Sequence, residues 1–298
     1  MNFDLIRHTH LTHTHSTNSQ LIEWITRSYQ DQAPLFHARP HASRPYLLTA
    51  DCQSSGRGQH GRTWQSPLGN VYLSLYVPTA ALSQTREHCL TQPLDGRLSL
   101  CVGYQLSQMS VIQDINQHRE QQQLPRIGVK WVNDVGFYDK KAGAHIPFQK
   151  IAGILIEPVS VAGTLLGVVV GVGLNVMHAP TLTNKTQEGL NYQAVSLQDL
   201  TNKPLSVQPL YAPMVAAIMQ ALAQFNGFAA PTAMTEFIAA FDQQDVLKDK
   251  LLHITAPIAQ QAISGTANGI DERGCLLVAD ADGSIRQIWT GTIQVLSP

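Results

Sequence analysis

The sequence predicts an α+β fold, in which a mixed, mostly antiparallel sheet with covering helices precedes a small C-terminal β-barrel. Two β-like runs, YLLTADC and VYLSLYV, bracket a glycine-rich loop. Two apolar runs of strand length within 151–176 predict a buried hairpin. From about residue 250, short strands alternate with Asn-Gly, Glu-Arg-Gly and Asp-Gly turns, which favours a barrel of about fifty residues. We therefore expect two domains, at residues 1–248 and 249–298.

The other elements follow from local patterns. The segment STNSQLIEWITRSY predicts a helix capped by Ser16 or Thr17, with Leu21 and Ile25 on its apolar face. Helical apolar spacing over 97–115 predicts a helix that covers the sheet. The remaining predictions are strands at 46–52, 71–77, 127–132, 150–159 and 164–176, and helices near 207–226 and 231–243.

Composition excludes several classes of protein. The net charge of −1 over 298 residues supplies no global basic field for non-specific DNA binding. The four cysteines include no C-x-x-C pair, which favours reduced thiols in a cytosolic protein, and the first residues carry no secretion signal. Glu157 and Pro158 interrupt the apolar stretch 151–176, so we expect no transmembrane helix there.

The start of the chain is rich in histidine. The segment HTHLTHTH carries His8, His10, His13 and His15. Alternate residues of a strand point the same way, so a metal site is conceivable. A polar solvated strand or a frayed terminus is favoured, because no cysteine or carboxylate completes a ligand set.

The loop GRGQHGRTW is the first candidate site. Glycines let backbone N–H groups approach an anion closely, and Arg57 and Arg62 can neutralise phosphate or carboxylate oxygens. The pattern is neither a Walker motif nor a dinucleotide fingerprint, since no helix opens at its end. The competing interpretation is an exposed surface loop whose arginines have no ligand.

Three further segments have chemical interest, each with a structural alternative. In VKWVND, Lys130 could meet phosphate and Asp134 a magnesium ion, or the segment is only a strand end with a turn. Lys150 opens an apolar strand and either reaches into a cleft or extends to solvent. The glycines of GVGLNV, at 171–176, admit either a ligand or tight sheet packing.

Together these segments resemble the biotin protein ligases. The family pattern is Ser-Thr-Asn, a G-R-G-R-x-x-R-x-W loop, K-W-P-N-D, lysine with L-A-G-I-L-x-E, and G-x-G-x-N. The corresponding segments here start at Ser16, Gly56, Lys130, Lys150 and Gly171, in the same order. The resemblance extends from about residue 14 to the C-terminus, and any one motif is weaker than the five in register.

The resemblance implies a class II synthetase-like catalytic domain with an SH3-like C-terminal barrel. It implies that the biotin carboxylate attacks the α-phosphate of ATP, forming biotinyl-AMP, and that a lysine of the biotin carboxyl-carrier protein of acetyl-CoA carboxylase then takes the biotinyl group. Fixed cations and Mg²⁺ would stabilise the charge gathered at phosphorus. A glycine-hinged loop that closes over the mixed anhydride would exclude water.

Site residues are implied motif by motif. The implied biotin-binding residues are Ser16, Thr17, Asn18, Gln53, Gly56, Arg57, Gly58, Gln59, Lys150 and Gly153. The implied ATP-binding residues are Arg62, Trp64, Lys130, Asn133, Asp134 and Asn175. The implied catalytic residues are Lys150, Arg62, Arg57 and Asp134, with Asp134 also the expected magnesium ligand and our choice of general base.

Three departures from the family pattern affect this assignment. Gln59 replaces an arginine of the loop, which removes one cation beside the intermediate. Val132 replaces proline. The stretch between Asp134 and Lys150 is long, so Lys140 and Lys141 compete with Lys150, which is chosen because it precedes the apolar I-A-G-I-L-I-E run.

The last expectations concern binding partners and alternative functions of the protein. About fifteen residues precede Ser16, too few for a helix-turn-helix domain, so we expect a cytoplasmic ligase without DNA binding. Pairing of two copies through sheet edges is conceivable. The rival functions are a lipoyl or octanoyl ligase or transferase of similar fold, and a biotin sensor without turnover.

Overall fold

A computed structural model describes the chain at residues 6–32, 40–83, 88–139, 146–180, 192–230, 232–255 and 262–296. Its helices are α1 (Thr17–Gln30), α2 (Arg97–Ser107), α3 (Ser110–Gln121), α4 (Tyr211–Gly227) and α5 (Ala233–Asp242). The strands of its N-terminal part are β1 (Arg7–Thr14), β2 (Tyr46–Gln53), β3 (Val71–Pro78), β4 (Gly128–Lys130), β5 (Asp134–Tyr138), β6 (Phe148–Val161), β7 (Thr164–Leu174) and β8 (Tyr192–Ala194). The strands of its C-terminal part are β9 (Leu251–Thr255), β10 (Ile263–Ile270), β11 (Leu276–Ala279), β12 (Ile285–Ile288) and β13 (Thr292–Val295).

A mixed sheet of eight described strands organises the first part of the chain. Its order is β1-β2-β3-β7-β6-β5-β4, with β8 beside β6. The β1–β2 and β6–β8 pairs are parallel and the others antiparallel. The predicted mixed, mostly antiparallel sheet is therefore confirmed, and strands β3, β7 and β6 lie at its centre.

Helices cover both faces of this sheet. Helix α1 packs on one face through Leu21 and Ile25, which join a buried cluster with residues of β2, β3, β6 and β7. The opposite face carries the larger cluster, to which α2, α3, α4 and α5 contribute. Burial of these apolar faces is what fixes the helices on the sheet. No helix among the described residues is both long and apolar enough to cross a membrane.

The predicted hairpin within 151–176 is present, with Glu157 and Pro158 inside its first strand, as the predicted strand 150–159 has them. Both residues continue β6, which pairs with β7 as far as Val161, and Ala162 and Gly163 form the turn. Pro158 is tolerated because β5 pairs with β6 only at 148–153, so its missing N–H breaks no pairing with β5.

Two element predictions need correction. The predicted helix 97–115 is two helices, α2 and α3, separated at Gln108 and Met109, where Met109 has an extended ψ of 140°. The predicted strand 127–132 ends at Lys130, because Trp131–Asn133 turn the chain into β5, which was not predicted.

The C-terminal strands form a separate antiparallel sheet of order β12-β11-β10-β9-β13. This confirms the predicted small β unit, whereas its SH3-like barrel form stays a prediction. One hydrophobic cluster includes Leu247 and helices α2–α5 as well as Leu252, Ile254 and later residues of the C-terminal strands, so the C-terminal sheet shares the core of the preceding helices.

Candidate active site

Two adjoining cavities lie above the centre of the large sheet. The inner chamber, of about 110 Å³, lies between the start of α1, the strands β3, β6 and β7, and the loop 56–64. The outer chamber, of about 340 Å³, extends toward the C-terminal sheet. Four residues line both chambers, namely Gln59, Arg62, Asn133 and Leu155. The two cavities therefore form one continuous site.

Neutral polar side chains form one wall of the inner chamber. Ser16 caps α1, as predicted, and accepts a hydrogen bond from the Ser19 N–H. Gln53 Oε1 accepts from the backbone N–H of Thr17 at 2.8 Å and from its hydroxyl at 3.1 Å. The Ser74 hydroxyl lies 2.8 Å from Thr17 Oγ1 and 2.5 Å from Asn18 Oδ1. This network fixes donors and acceptors that suit an uncharged polar ligand group.

Glycines of β6 and β7 make room for this wall and for the ring above it. A Cβ at Gly171 would lie 2.1 Å from Asn18 Oδ1, and one at Gly173 would lie 2.5 Å from the Trp64 ring. A Cβ at Gly153 would lie 2.8 Å from the same ring. The space that these glycines leave is thus filled by Asn18 and Trp64, two side chains that line the chamber. Tight packing and construction of the site, the two interpretations of GVGLNV, therefore both apply in part.

The loop 56–64 closes over the inner chamber. The Trp64 N–H donates to Gly56 O at 2.8 Å, the Gly58 N–H donates to Arg62 O at 2.8 Å, and His60 and Gly61 have positive φ angles of 56° and 74°. Arg57 forms an ion pair with Glu157 and donates to Ser19 Oγ at 2.9 Å. Arg57 therefore ties the loop to β6 and α1, and a ligand for its arginines stays a prediction.

Two lysines of very different environment lie where the chambers meet. Lys150 Nζ is 2.6 Å from Asp134 Oδ1, in a pair whose side chains are 21% and 7% exposed. Lys130 is buried, and its ammonium donates to Tyr192 Oη at 2.5 Å and lies 4.0 Å from the Tyr192 ring centroid. The pKa of Lys130 is lowered to about 7, mainly by burial, which Asp134 opposes and to which the charges of Lys150 and Arg62 add.

Most of the implied site residues lie together in the structure. Twelve line the inner chamber: Ser16, Thr17, Asn18, Gln53, Arg57, Gly58, Gln59, Arg62, Trp64, Asn133, Lys150 and Gly153. Lys130 and Asp134 line the outer chamber. Neither Gly56 nor Asn175 lines a chamber. Gly56 begins the loop and packs closely on Trp64 O, and Asn175 Nδ2 donates to the carbonyls of Lys150 and Val195. Lys140 and Lys141 lie outside the described residues.

Sequence reasoning missed four contributors to the site. Ser74 and Glu157 lie inside strand-like runs, and Tyr192 and the segment 289–293 lie far from any motif. A serine in the otherwise apolar run VYLSLYV and a glutamate in GILIEPV are signals that pattern analysis could have used.

The histidine-rich start is a strand at the sheet edge. His8 Nε2 lies 2.7 Å from Thr49 Oγ1, and His10 Nε2 lies 3.1 Å from Asp51 Oδ1. In the part of the chain that the structure describes, no group of three or more His, Cys, Asp or Glu residues is placed to hold a metal ion. The polar-strand interpretation accounts for these contacts.

The fold and the site bring neutral polar side chains and an array of cations together around adjoining chambers. Comparison with known proteins makes this specific. The biotin/lipoate A/B protein ligase family model matches residues 26–175, and the biotin protein ligase C-terminal domain model matches 253–296. The chain therefore belongs to the biotin/lipoate A/B protein ligase family.

Relatives and solved structures agree with this assignment. The chain is 26% identical over 254 residues to the bifunctional ligase/repressor BirA of Salmonella typhimurium and to that of Escherichia coli. Each match covers 83% of this chain and 66% or 65% of the relative, so the chain spans just under two thirds of their length.

Among solved structures, the fold is similar to biotin protein ligase from Aquifex aeolicus in complex with biotin and ATP, with a TM-score of 0.64 at 21% identity, over 97% of this chain and 99% of that one. It is also similar to the Leishmania major ligase in complex with biotinyl-5-AMP, with a TM-score of 0.54 at 21% identity, over 95% and 98% of the two chains. These similarities confirm the predicted fold class.

Proposed function

We propose that this chain is an ATP-dependent biotin protein ligase. In the first step an oxygen of the biotin carboxylate attacks the α-phosphorus of ATP, and pyrophosphate leaves. In the second step the amine of an acceptor lysine attacks the acyl carbon of biotinyl-AMP, loses a proton, and AMP leaves with the electrons of the broken C–O bond. We propose the biotin carboxyl-carrier protein of acetyl-CoA carboxylase as the acceptor, and the cytoplasm as the place of action.

The observation that carries this proposal is the placing of two kinds of group in one chamber. Neutral hydrogen-bonding side chains of Thr17, Asn18 and Gln53 lie at one wall, as an uncharged ureido ring requires. Lys150 and Arg62 line the same chamber, and Arg62 also lines the outer one. A ligand with a polar neutral head and a carboxylate would place its head at the neutral side chains and its carboxylate at these cations.

The outer chamber suits ATP. Lys130 and Arg62 supply positive charge for phosphates, and the Aquifex aeolicus ligase, whose structure holds biotin and ATP, has the same fold. We propose Trp64 and Asn175 for the adenosine by motif alone, and Asn175 would then act through the backbone carbonyls that it holds.

The donor set fits Mg²⁺ in its usual nucleotide-bound form. Among the described residues that line the two chambers, Asp134 is the one carboxylate. Mg²⁺ in nucleotide sites is bound by one or two carboxylates together with substrate phosphates and water, so Asp134 would hold it with ATP, and the ion would supply charge neutralisation at the phosphates. Asp134 as the general base for the acceptor lysine stays a prediction.

Biotin-dependent exchange of labelled pyrophosphate into ATP tests the proposal, with lipoate and octanoate in parallel reactions. We expect exchange with biotin only. Exchange confined to lipoate or octanoate would instead assign the chain to the lipoyl branch of the family, and the match to the biotin protein ligase C-terminal domain favours biotin. Binding of biotin without any exchange would identify a sensor.

A further inference from the structure

Glu157 joins the loop over the inner chamber to the wall beneath it. One carboxylate oxygen, Oε1, pairs with Arg57 Nη2 of the loop. The other, Oε2, accepts a hydrogen bond from Asn18 Nδ2 at 3.0 Å. Arg57 Nη1 also donates to Ser19 Oγ at 2.9 Å. A single side chain of β6 therefore contacts both the loop and a residue proposed to hold the biotin ring.

The position of Glu157 in the strand makes these contacts specific. It lies in the run GILIEPV, between apolar neighbours, and its side chain is only 20% exposed. Asn18 donates from the same nitrogen to Leu155 O at 3.1 Å, so the amide is oriented from two residues of β6. Its Oδ1 is held by Ser74 at 2.5 Å. Movement of Glu157 would therefore disturb Arg57 and Asn18 together.

We propose that Glu157 is a positioning residue that latches the Arg57 loop onto Asn18, so that the loop stays closed while biotinyl-AMP occupies the site. The proposal rests on the ligase function proposed above. The Arg57 side chain is 44% exposed, and a pair of this exposure is weak in water. A ligand that fills the chamber excludes water and strengthens the same pair. Closure would thus be weak in the free protein and firm over the reactive intermediate.

If Glu157 latches the loop, its replacement should change the release of biotinyl-AMP more than the formation of biotinyl-AMP. Glu157→Gln removes the charge that holds Arg57, and its amide nitrogen cannot accept from Asn18 if its oxygen faces Arg57. We expect the release of biotinyl-AMP into solution to rise about tenfold, while pyrophosphate exchange at saturating biotin, where weaker binding through Asn18 no longer limits the rate, stays within about threefold of the unmodified protein. Release is measured by trapping the intermediate with hydroxylamine in a chase with unlabelled biotin.

Matched variants separate the latch from general damage. Arg57→Gln should raise release to a similar extent, and the double variant should release no faster than Arg57→Gln alone, because both changes break one contact. Glu157→Asp, which keeps the charge, should lie between Glu157→Gln and the unmodified protein. Glu23→Gln removes a similar Glu–Arg pair, with Arg27 on α1, and should behave like the unmodified protein. Additive effects in the double variant, or unchanged release in Glu157→Gln, would overturn the proposal.

A ligand-free measurement keeps this inference distinct from the proposed function. Trypsin can cut after Arg62, in the loop, and we expect Glu157→Gln to speed this cleavage about fivefold relative to Glu23→Gln. If the unmodified protein shows no exchange with biotin but the cleavage difference is present, the ligase function fails and the latch stands. If exchange is normal and cleavage and release are unchanged in Glu157→Gln, the latch alone fails.

Discussion

Lys150 and Asp134 form an ion pair whose effect on stability accompanies a proposed role in the reaction. The Lys150 ammonium lies 2.6 Å from a carboxylate that is only 7% exposed. A buried carboxylate without its partner is strongly unfavourable, whereas replacing both members of a buried pair is often tolerated. The stability role of Lys150 and its proposed contact with the biotin carboxylate can therefore be separated by mutation.

We expect Lys150→Met to lower the free energy of unfolding by about 2–4 kcal/mol, because Asp134 loses its partner. Biotin-dependent pyrophosphate exchange should fall at least about 100-fold, as expected for removal of a cation at the reacting atoms. Thermal unfolding and the exchange assay measure the two effects.

Lys150→Met with Asp134→Asn is the control, which should regain most of the stability and none of the exchange. Lys140→Met and Lys141→Met test the competing lysines. Loss of exchange in either variant, with Lys150→Met active, would move the assignment away from Lys150.

The lowered pKa of Lys130 predicts that nucleotide binding depends on pH. Its pKa, lowered by burial to about 7 from 10.5, means that the amine is largely neutral at pH 8 before ATP binds. Phosphate beside it would favour the charged form, so ATP binding should take up a proton and weaken between pH 7 and 9. Calorimetric titration in two buffers of different ionisation enthalpy measures that uptake, and equal heats in both buffers would contradict it.

The same shift has a defined sign for stability. Between pH 7 and 10.5 the unfolded chain binds the Lys130 proton and the folded chain does not, so this group makes unfolding less favourable as pH rises. Below pH 7 the folded protein must bury an ammonium. Lys130→Met should therefore flatten the dependence of the melting temperature on pH in this window.

At the scale of elements, the hairpin β6–β7 acts as the floor on which the site is built. Its glycines give the site its depth, because side chains from α1 and the loop occupy the space that their Cβ atoms would fill. Along β7, Val168, Val170 and Val172 face the larger core cluster, whereas Gly171 and Gly173 lie on the opposite face and line the chamber.

We expect Gly173→Ala to displace Trp64, since the new Cβ would lie 2.5 Å from the indole ring. The KM values for biotin and ATP should rise about tenfold or more, with a stability loss of about 1–3 kcal/mol from overpacking. Steady-state kinetics and chemical denaturation measure these effects.

Gly227→Ala is the matched control. This glycine ends α4, has no heavy atom within 4 Å of an added Cβ, and should tolerate the change or gain slightly in stability. Wild-type KM values in Gly173→Ala would mean that Trp64 does not shape the ligand site.

At the scale of the whole molecule, the C-terminal sheet completes the site. Residues 289–293, which follow β12 and begin β13, line the outer chamber opposite Lys130 and Asp134. Trp131 donates from Nε1 to Gly274 O at 2.8 Å, which ties the KWVND segment to the C-terminal sheet. The geometry of the proposed ATP site therefore depends on how the two sheets are joined.

We expect Trp131→Phe to lower the free energy of unfolding by about 1–3 kcal/mol, through the lost hydrogen bond and the space left by the smaller ring. The KM for ATP should rise more than the KM for biotin, because the outer chamber is the one affected. Trp24→Phe on α1 is the control and should change neither the KM for ATP nor the KM for biotin. Equal changes in the two KM values would contradict a role confined to the outer chamber.

Local patterns in the sequence predicted most helices and strands, but neither β5 nor the break between α2 and α3, and they indicated the chemistry available at each motif. Strand runs, the α1 cap at Ser16 and the turn-rich tail are local signals, and the five motifs matched one family in register. The break between α2 and α3 at Met109 was not predicted from the sequence. Met109 and Ile112 are both buried in the same core, so the apolar spacing continues across the break.

Contacts between distant segments bring the groups of the site together. Arg57 pairs with Glu157, one hundred positions away, and Trp131 donates to Gly274. Lys130 and Lys150 differ in burial although both lie near a strand end. Asn175 matches a motif yet lies behind the chamber wall. Burial, charge pairing and orientation depend on contacts between segments distant in the chain, and no local pattern contains them.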